Sequence, residues 1–456
     1  ISLGLVGSEM CIRDSLYLFA AFGTSIATLS FPGNGPKPGD FAYPPEGFEN
    51  EELGSILRSR EIDFAELGMF KVQAKAYQLL YRTSGVNISQ PMAAVTTVIV
   101  PQTHEGDKLI IAATPEDASS FKCSPSFQLV NQHKLNIEGL VSRFESLLYD
   151  VYLQKGWVVT VPDYEGPMSA FGVGKLNGYA MLDAARASLR WNKSELSKNS
   201  KVQAVGYSGG AIATGWTAAL QPSYAPELNA VGFAFGGTPS DLSALIEKSD
   251  NSGNSGLIIL GTAGILNAYP HLEPVLKECV TDKFIKHLKI ARENCVALAT
   301  LASNFDHIQS SDYIKTDNHT LASLPGVKDL LDELVMGADS SVVPKAPVFM
   351  WHAKTDDVIP YNAAKKSAEK WCKNGANINF LTETFPTPHI GAYIATFAKL
   401  VRYIEDRFAG KNFIDGCKFD QDASPAFNLD DDITFVKDIV EIVKTIFGEA
   451  TDERLR

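Results

Sequence analysis

The chain has 456 residues, 45% of them hydrophobic and 10% aromatic, a composition that can bury a full core and excludes the disordered and fibrous classes. That length is long for one domain, so one large domain carrying an insertion is expected, with two independent domains as the alternative. A formal charge of -12 argues against a phosphate-binding surface built on Lys and Arg, so no nucleic-acid partner is expected.

In chain order, the first distinct segment is Leu16-Tyr17-Leu18-Phe19-Ala20-Ala21-Phe22, followed by the small residues of 23–27. A short apolar run with a small-residue exit has the pattern of a secretory signal peptide. It is shorter than the roughly 20 apolar residues that span a bilayer, so no integral membrane span is expected. Residues 1–15, with Met10-Cys11-Ile12-Arg13-Asp14-Ser15, read as adaptor-like sequence and are set apart with the leader as 1–30. The secretory context favours disulfides among Cys123, Cys279, Cys295, Cys372 and Cys417, whose pairing their number alone leaves open. Sequons at Asn87, Asn192 and Asn318 are compatible with glycosylation.

Pro32, Pro36, Pro38, Pro44 and Pro45 make an extended lead-in, after which the apolar runs at 77–81, 93–100 and 109–113 predict strands. A helix ending near 155, a buried strand at 157–161 and a helix over 178–191 follow. Strand 202–206, a helix to 220 and strand 230–235 repeat the alternation of a parallel sheet flanked by helices. Gly172-Val173-Gly174-Lys175 lacks the spacing of a phosphate loop and is expected to be a surface turn. Between 238 and 343 the pattern becomes helical, at 272–280, 284–292 and 327–336, which predicts an inserted cap. The sheet resumes at 348–351 and 378–381, with helices at 363–372 and 390–408. The fold class is therefore α/β, a mostly parallel central sheet flanked by helices and carrying a helical cap: core over 31–237 and 344–408, cap over 238–343, and a C-terminal tail over 409–456.

Chemistry concentrates at Gly206-Tyr207-Ser208-Gly209-Gly210, which leaves a predicted strand and opens a predicted helix. Small residues at such a corner permit a tight turn that projects Ser208, while the helix start offers the Gly209 N–H to an oxyanion. A serine hydroxyl needs a base, and the base benefits from an acid that fixes its tautomer. Asp356 or Asp357, in the loop after the strand ending at Trp351, supplies the acid. His389 supplies the base, being the only histidine downstream of both other members. No metal or organic cofactor is needed, since neither His-Glu-x-x-His nor a paired Cys-x-x-Cys occurs. His271, His287, His307 and His319 fall in the insertion and read as surface or packing residues.

The serine motif, together with Ala225-Pro226-Glu227-Leu228-Asn229-Ala230-Val231-Gly232, Gly236-Gly237-Thr238-Pro239 and Phe349-Met350-Trp351-His352-Ala353, resembles the yeast secretory lipases of the Candida lipase A type, over most of residues 40–420. The resemblance implies that Asp356 is the acid, His389 the base, and Asp163 of Asp163-Tyr164-Glu165-Gly166 a second oxyanion contributor beside Gly209. It also implies an α/β-hydrolase fold, disulfides Cys123 to Cys295 and Cys372 to Cys417 with Cys279 outside both, and a helical cap over the site. Segments 257–260 and 263–266 are placed either on the cap's apolar lining or in its core. The expected protein is a secreted triacylglycerol lipase, monomeric, whose partners are a lipid or ester substrate and the lipid–water interface. An esterase or acyltransferase on soluble esters and a non-catalytic binding protein of the same fold are the alternatives.

Overall fold

Ten strands form one sheet in the order β1-β2-β3-β5-β4-β6-β7-β8-β9-β10 in the computed structural model, which describes residues 31, 34–64, 73–103, 106–130 and 140–423. The adaptor-like and leader segments and the end of the tail lie outside those residues. The strands are β1 Ile56–Ile62, β2 Ala74–Ser84, β3 Pro91–Pro101, β4 Lys108–Ala113 and β5 Val158–Pro162, then β6 Lys201–Tyr207, β7 Ala230–Gly236, β8 Val348–Ala353, β9 Ile378–Glu383 and β10 Cys417–Asp422. Pairs β1·β2, β2·β3 and β3·β5 are antiparallel, and every pair from β5·β4 to β9·β10 is parallel. The parallel strands read as continuous apolar runs because helices cover both faces; all five residues of β5 are buried.

On one face lie α2 Gly174–Arg190 and α3 Gly209–Tyr224; on the other lie α1 Leu140–Gln154 and the long α11 His389–Phe408. Two apolar clusters match these faces. One joins Met181 and Ala184 of α2 to Ile212 and Trp216 of α3, and the other joins Tyr149 and Tyr152 of α1 to Phe397 and Val401 of α11. Gly172 to Lys175 is not the surface turn expected above. Gly174 is the first residue of α2 and is buried against the Trp216 ring.

Between β7 and β8 the chain makes six helices, α4 Leu242–Ser249, α5 Gly256–Ala268, α6 Leu272–Cys279, α7 Asp282–Glu293, α8 Val296–Leu301 and α9 Val327–Glu333. The helix α10 Tyr361–Lys373 then connects β8 to β9. Ile258, Ile259 and Leu260 of α5 join the same apolar cluster as α2 and α3, so the insertion is packed onto the core. Cys123 and Cys295 form a disulfide between the loop after β4 and the start of α8, and Cys372 and Cys417 form a second between α10 and β10. Cys279 is buried outside both bridges. Residues 417–422, which the sequence assigned to the tail, add an edge strand because the second disulfide and pairing with β9 hold them there. The three sequon asparagines are exposed. Among the described residues no helix is long and apolar enough to cross a membrane.

Candidate active site

Four loops at the C-terminal ends of parallel strands converge, the place where open α/β sheets bind ligands. They follow β4, β6, β8 and β9 and carry Asp117, Ser208, Asp356 and His389. Ser208 sits between β6 and α3 with φ 54° and ψ -121°, a conformation rare for a residue with a side chain. Its N–H donates to the Gly236 carbonyl at 3.0 Å, which helps to hold the bend. Gly206 is required below it, since a Cβ there would lie 2.4 Å from the Gly210 carbonyl oxygen. The sharp turn lifts the Ser208 side chain to the sheet edge at the N-terminus of α3, where the first N–H groups have no acceptor within the helix.

His389 is the first residue of α11, and three contacts orient it. Its Nε2 lies 2.9 Å from Ser208 Oγ, and its Nδ1 lies 2.7 Å from Asp356 Oδ2. Its carbonyl accepts the Tyr207 hydroxyl at 2.6 Å, and the Tyr207 ring is stacked on Tyr393 with centroids 4.4 Å apart. The two neighbouring acids divide the work. Asp356 faces the imidazole, while Asp357 Oδ1 accepts the His389 backbone N–H at 2.7 Å and so caps α11.

Asp356 is buried, and its Oδ1 accepts the backbone N–H groups of Val358 at 2.9 Å and Ile359 at 2.7 Å. Burial alone would push its carboxyl up; the adjacent His352 and His389 imidazoles more than reverse this and hold it well below the usual carboxylate range. The insertion reaches the same loop, with Lys248 Nζ donating to the Asp356 carbonyl at 2.5 Å and Asn254 Nδ2 to the Asp357 carbonyl at 3.3 Å.

Asp163, expected beside the oxyanion, is placed elsewhere. Its Oδ1 accepts the Ser126 N–H at 2.8 Å and its Oδ2 the Ser126 hydroxyl at 2.5 Å. The cause is strand order: Asp163 follows β5, and β4 lies between β5 and the serine-bearing β6. Strands are about 4.8 Å apart, so the loop after β4 is the one that reaches Ser208.

That loop carries Asp117, which sequence reasoning missed. A methyl group added to Gly209 would lie 1.6 Å from Asp117 Oδ1, so the carboxyl rests on the backbone at the helix start. The same oxygen is buried with no hydrogen-bond partner among the described residues, and Asp117 has φ 41°. Burial raises its carboxyl to about 6, against a downward pull from His389. Further acids lie behind it. Burial, reinforced by the charges of Asp163 and Asp117, pushes Glu116 well above the carboxylate range, and Glu165 is raised by burial, Glu116 and Asp117. The signal available in the sequence was position, an acid just after the strand that pairs with the Ser208-bearing strand, and reading it required the sheet order.

An apolar cavity of about 70 Å³ reaches α3 at Ile212. Its walls include Phe171 of the core, Leu245 of α4, Leu257, Gly261 and Ile265 of α5, and Ile212 of α3. Ile212 lies four residues after Ser208, hence one turn along α3 on the same side. Segment 257–266 divides between the two placements considered from sequence: Leu257, Ile258 and Ile265 line the cavity, while Ile259, Leu260 and Ala263 are fully buried.

Comparison with known proteins agrees with this architecture. The secretory lipase family profile matches residues 131–416. The chain is 37% identical to the secreted triacylglycerol lipase LIP3 of Malassezia restricta, over 94% of this chain and 91% of that protein. It is also 37% identical to the secreted triacylglycerol lipase LIP6 of Malassezia globosa, over 95% and 77%. Among solved structures, lipase A of Candida antarctica superimposes with a TM-score of 0.80 at 28% identity, covering 89% of this chain and 94% of that one. The rice cell wall degrading esterase LipA of Xanthomonas oryzae, at 16% identity and a TM-score of 0.56 over 79% and 97%, shares the fold. With more than half its length matched by the profile and near-complete coverage by relatives above one-third identity, the chain belongs to the secretory lipase family.

Proposed function

We propose that the protein is a secreted triacylglycerol lipase that works through an acyl-enzyme on Ser208, with His389 as general base and Asp356 as its orienting acid. The observation that carries this reading is the continuous contact from Ser208 Oγ to His389 Nε2 at 2.9 Å and from His389 Nδ1 to Asp356 Oδ2 at 2.7 Å. His389 takes the hydroxyl proton as Oγ attacks the ester carbonyl carbon, then returns it to the departing alcohol oxygen. Water, deprotonated by His389, attacks the acyl carbon, and the carboxylic acid leaves as Ser208 regains its proton.

The oxyanion is held by the Gly209 N–H and by the protonated carboxyl of Asp117. Developing negative charge is best met by donors already in place, and a neutral carboxyl donates where a carboxylate would repel. Residues 238–343 form a cap whose helices α4 and α5 wall the cavity, and the acyl chain occupies that apolar space. Opening such a cap exposes apolar surface that an oil–water boundary can cover, which favours emulsified over dissolved substrate. The cavity favours the lipase reading over an esterase for short soluble esters; comparing emulsified long-chain triglyceride with tributyrin and a dissolved short-chain ester tests it. Faster cleavage of the dissolved short ester, with no rate on the emulsion, would reverse the assignment. Secretion accords with the secreted relatives and the leader-like residues 16–27.

Gly261 gives a sharper test of where the acyl chain lies. It lines the cavity, and a Cβ there meets nothing within 4 Å, so a larger side chain enters free space without disturbing the fold. Gly261→Leu is expected to lower kcat/KM for a sixteen-carbon ester by about tenfold while leaving a four-carbon ester within about twofold. Equal effects on both esters would show that the chain lies elsewhere.

A further inference from the structure

We propose that His352 is a positioning residue for the reaction: a second imidazole that shares the Asp356 carboxylate with His389, and so sets how much of its charge reaches the base. The proposal rests on the Ser208, His389 and Asp356 reading above.

His352 is the fifth residue of β8 and is fully buried. Its Nε2 lies 3.2 Å from Asp356 Oδ2, the same oxygen that His389 Nδ1 approaches at 2.7 Å. Oδ1 is occupied by the Val358 and Ile359 N–H groups, and Oδ2 faces both imidazoles. Both ring nitrogens of His352 are buried without a hydrogen-bond partner among the described residues, so the approach of Nε2 to Oδ2 is a contact by distance and not a formed hydrogen bond. Burying an imidazole with so little compensation is costly, and an apolar side chain would avoid the cost. What the position gains is a positive ring edge aimed at the acid.

The surroundings hold that edge in place. Tyr361, from the start of α10, packs its ring at right angles to His352 with centroids 5.9 Å apart, and its hydroxyl is 2.8 Å from Thr382 Oγ1 on β9. The other charged or titratable groups around the acid and base point at different atoms: Lys248 at the Asp356 carbonyl, Asp357 at the His389 N–H, and Tyr207 at the His389 carbonyl. Asp117 approaches from the Gly209 side.

A carboxylate oxygen bonded to one imidazole and faced by the N–H edge of a second gives less to the first. Removing the N–H of His352 concentrates the Asp356 charge on His389, which then holds its proton to higher pH. The sign holds for a ring that carries a proton on Nε2. A merely structural histidine would change stability and leave the pH profile where it was.

The test is the rate of Ser208 modification by a fluorophosphonate as a function of pH, in the full-length wild type, His352→Leu and His352→Gln, alongside kcat and KM for a dissolved butyrate ester. His352→Leu is expected to move the acidic limb upward by about half a pH unit and to lower kcat severalfold with KM within about twofold. His352→Gln, which keeps an N–H near the Nε2 position, is expected to restore the wild-type limb. A folded Leu variant with an unmoved limb, or a Gln variant indistinguishable from Leu, overturns the proposal. If the Leu variant does not fold, ¹⁵N spectra of histidine-labelled wild type decide, because the proposal requires a proton on His352 Nε2 and a ring protonated only at Nδ1 overturns it. A wild type that never labels at Ser208 overturns the triad itself and this proposal with it, whereas intact labelling with an unmoved limb overturns the role of His352 alone.

Discussion

Ser208→Ala is expected to abolish ester cleavage, with kcat falling by about 10⁵-fold or more. The size follows from the chemistry: without the hydroxyl there is no acyl-enzyme, and the remaining groups can only orient water and polarise the carbonyl. Folding should survive. The Oγ makes its hydrogen bond to His389 Nε2 alone among the described residues, and the bend is held by the backbone bond to Gly236 and by Gly206. A melting temperature within about 2 °C of wild type is therefore expected. Hydrolysis of a triglyceride emulsion, followed by titration of released acid, measures the loss. An alanine variant with more than a few per cent of wild-type turnover would remove Ser208 from the mechanism.

Asp117→Ala is expected to cost about 10²- to 10³-fold in kcat, the usual effect of deleting one oxyanion donor, with KM changed little. The pH dependence is the sharper signature. Burial raises the Asp117 carboxyl to about 6, so the folded protein keeps it neutral below that pH and ionises it above. The neutral form donates a hydrogen bond and the ionised form repels the developing charge. Activity should therefore fall as pH rises through and above about 6, to an extent set by how far bound substrate holds the proton on. Asp117→Asn keeps a donor that does not titrate, so it should retain much of the acidic rate and lose the alkaline decline. If Asp117→Asn keeps the wild-type alkaline limb, that limb belongs to another group. If Asp117→Ala turns over normally, the Gly209 N–H acts without this carboxyl.

Much of this site follows from local rules. The β-branched runs of β3 and β5 and the glycines around Ser208 are signals carried within a few residues, and chain order isolates His389. What local rules do not carry is neighbour order in the sheet. Asp163 enters as an oxyanion contributor through the resemblance alone, and the sheet order, with β4 between β5 and β6, puts the loop of Asp117 next to Gly209. The division between Asp356 and Asp357 was equally hidden, because adjacent carboxylates in one loop are told apart only by what each faces, an imidazole or a helix N-terminus. His352 precedes the acid in the chain and so falls outside the order serine, acid, histidine, and only β8 places its ring beside Asp356. Gly172 to Lys175 looked polar and loop-like, but packing against Trp216 buries its helix-starting glycine. In each case the deciding contact joins residues far apart in the chain.

The most direct check is to treat the folded protein with a fluorophosphonate, digest it, and identify the modified residue by mass spectrometry. Stoichiometric modification of Ser208 is predicted, slowed severely by His389→Ala, since the imidazole 2.9 Å away must take the proton as phosphorus is attacked. Modification at another serine, or a rate at Ser208 indifferent to loss of His389, would contradict the account.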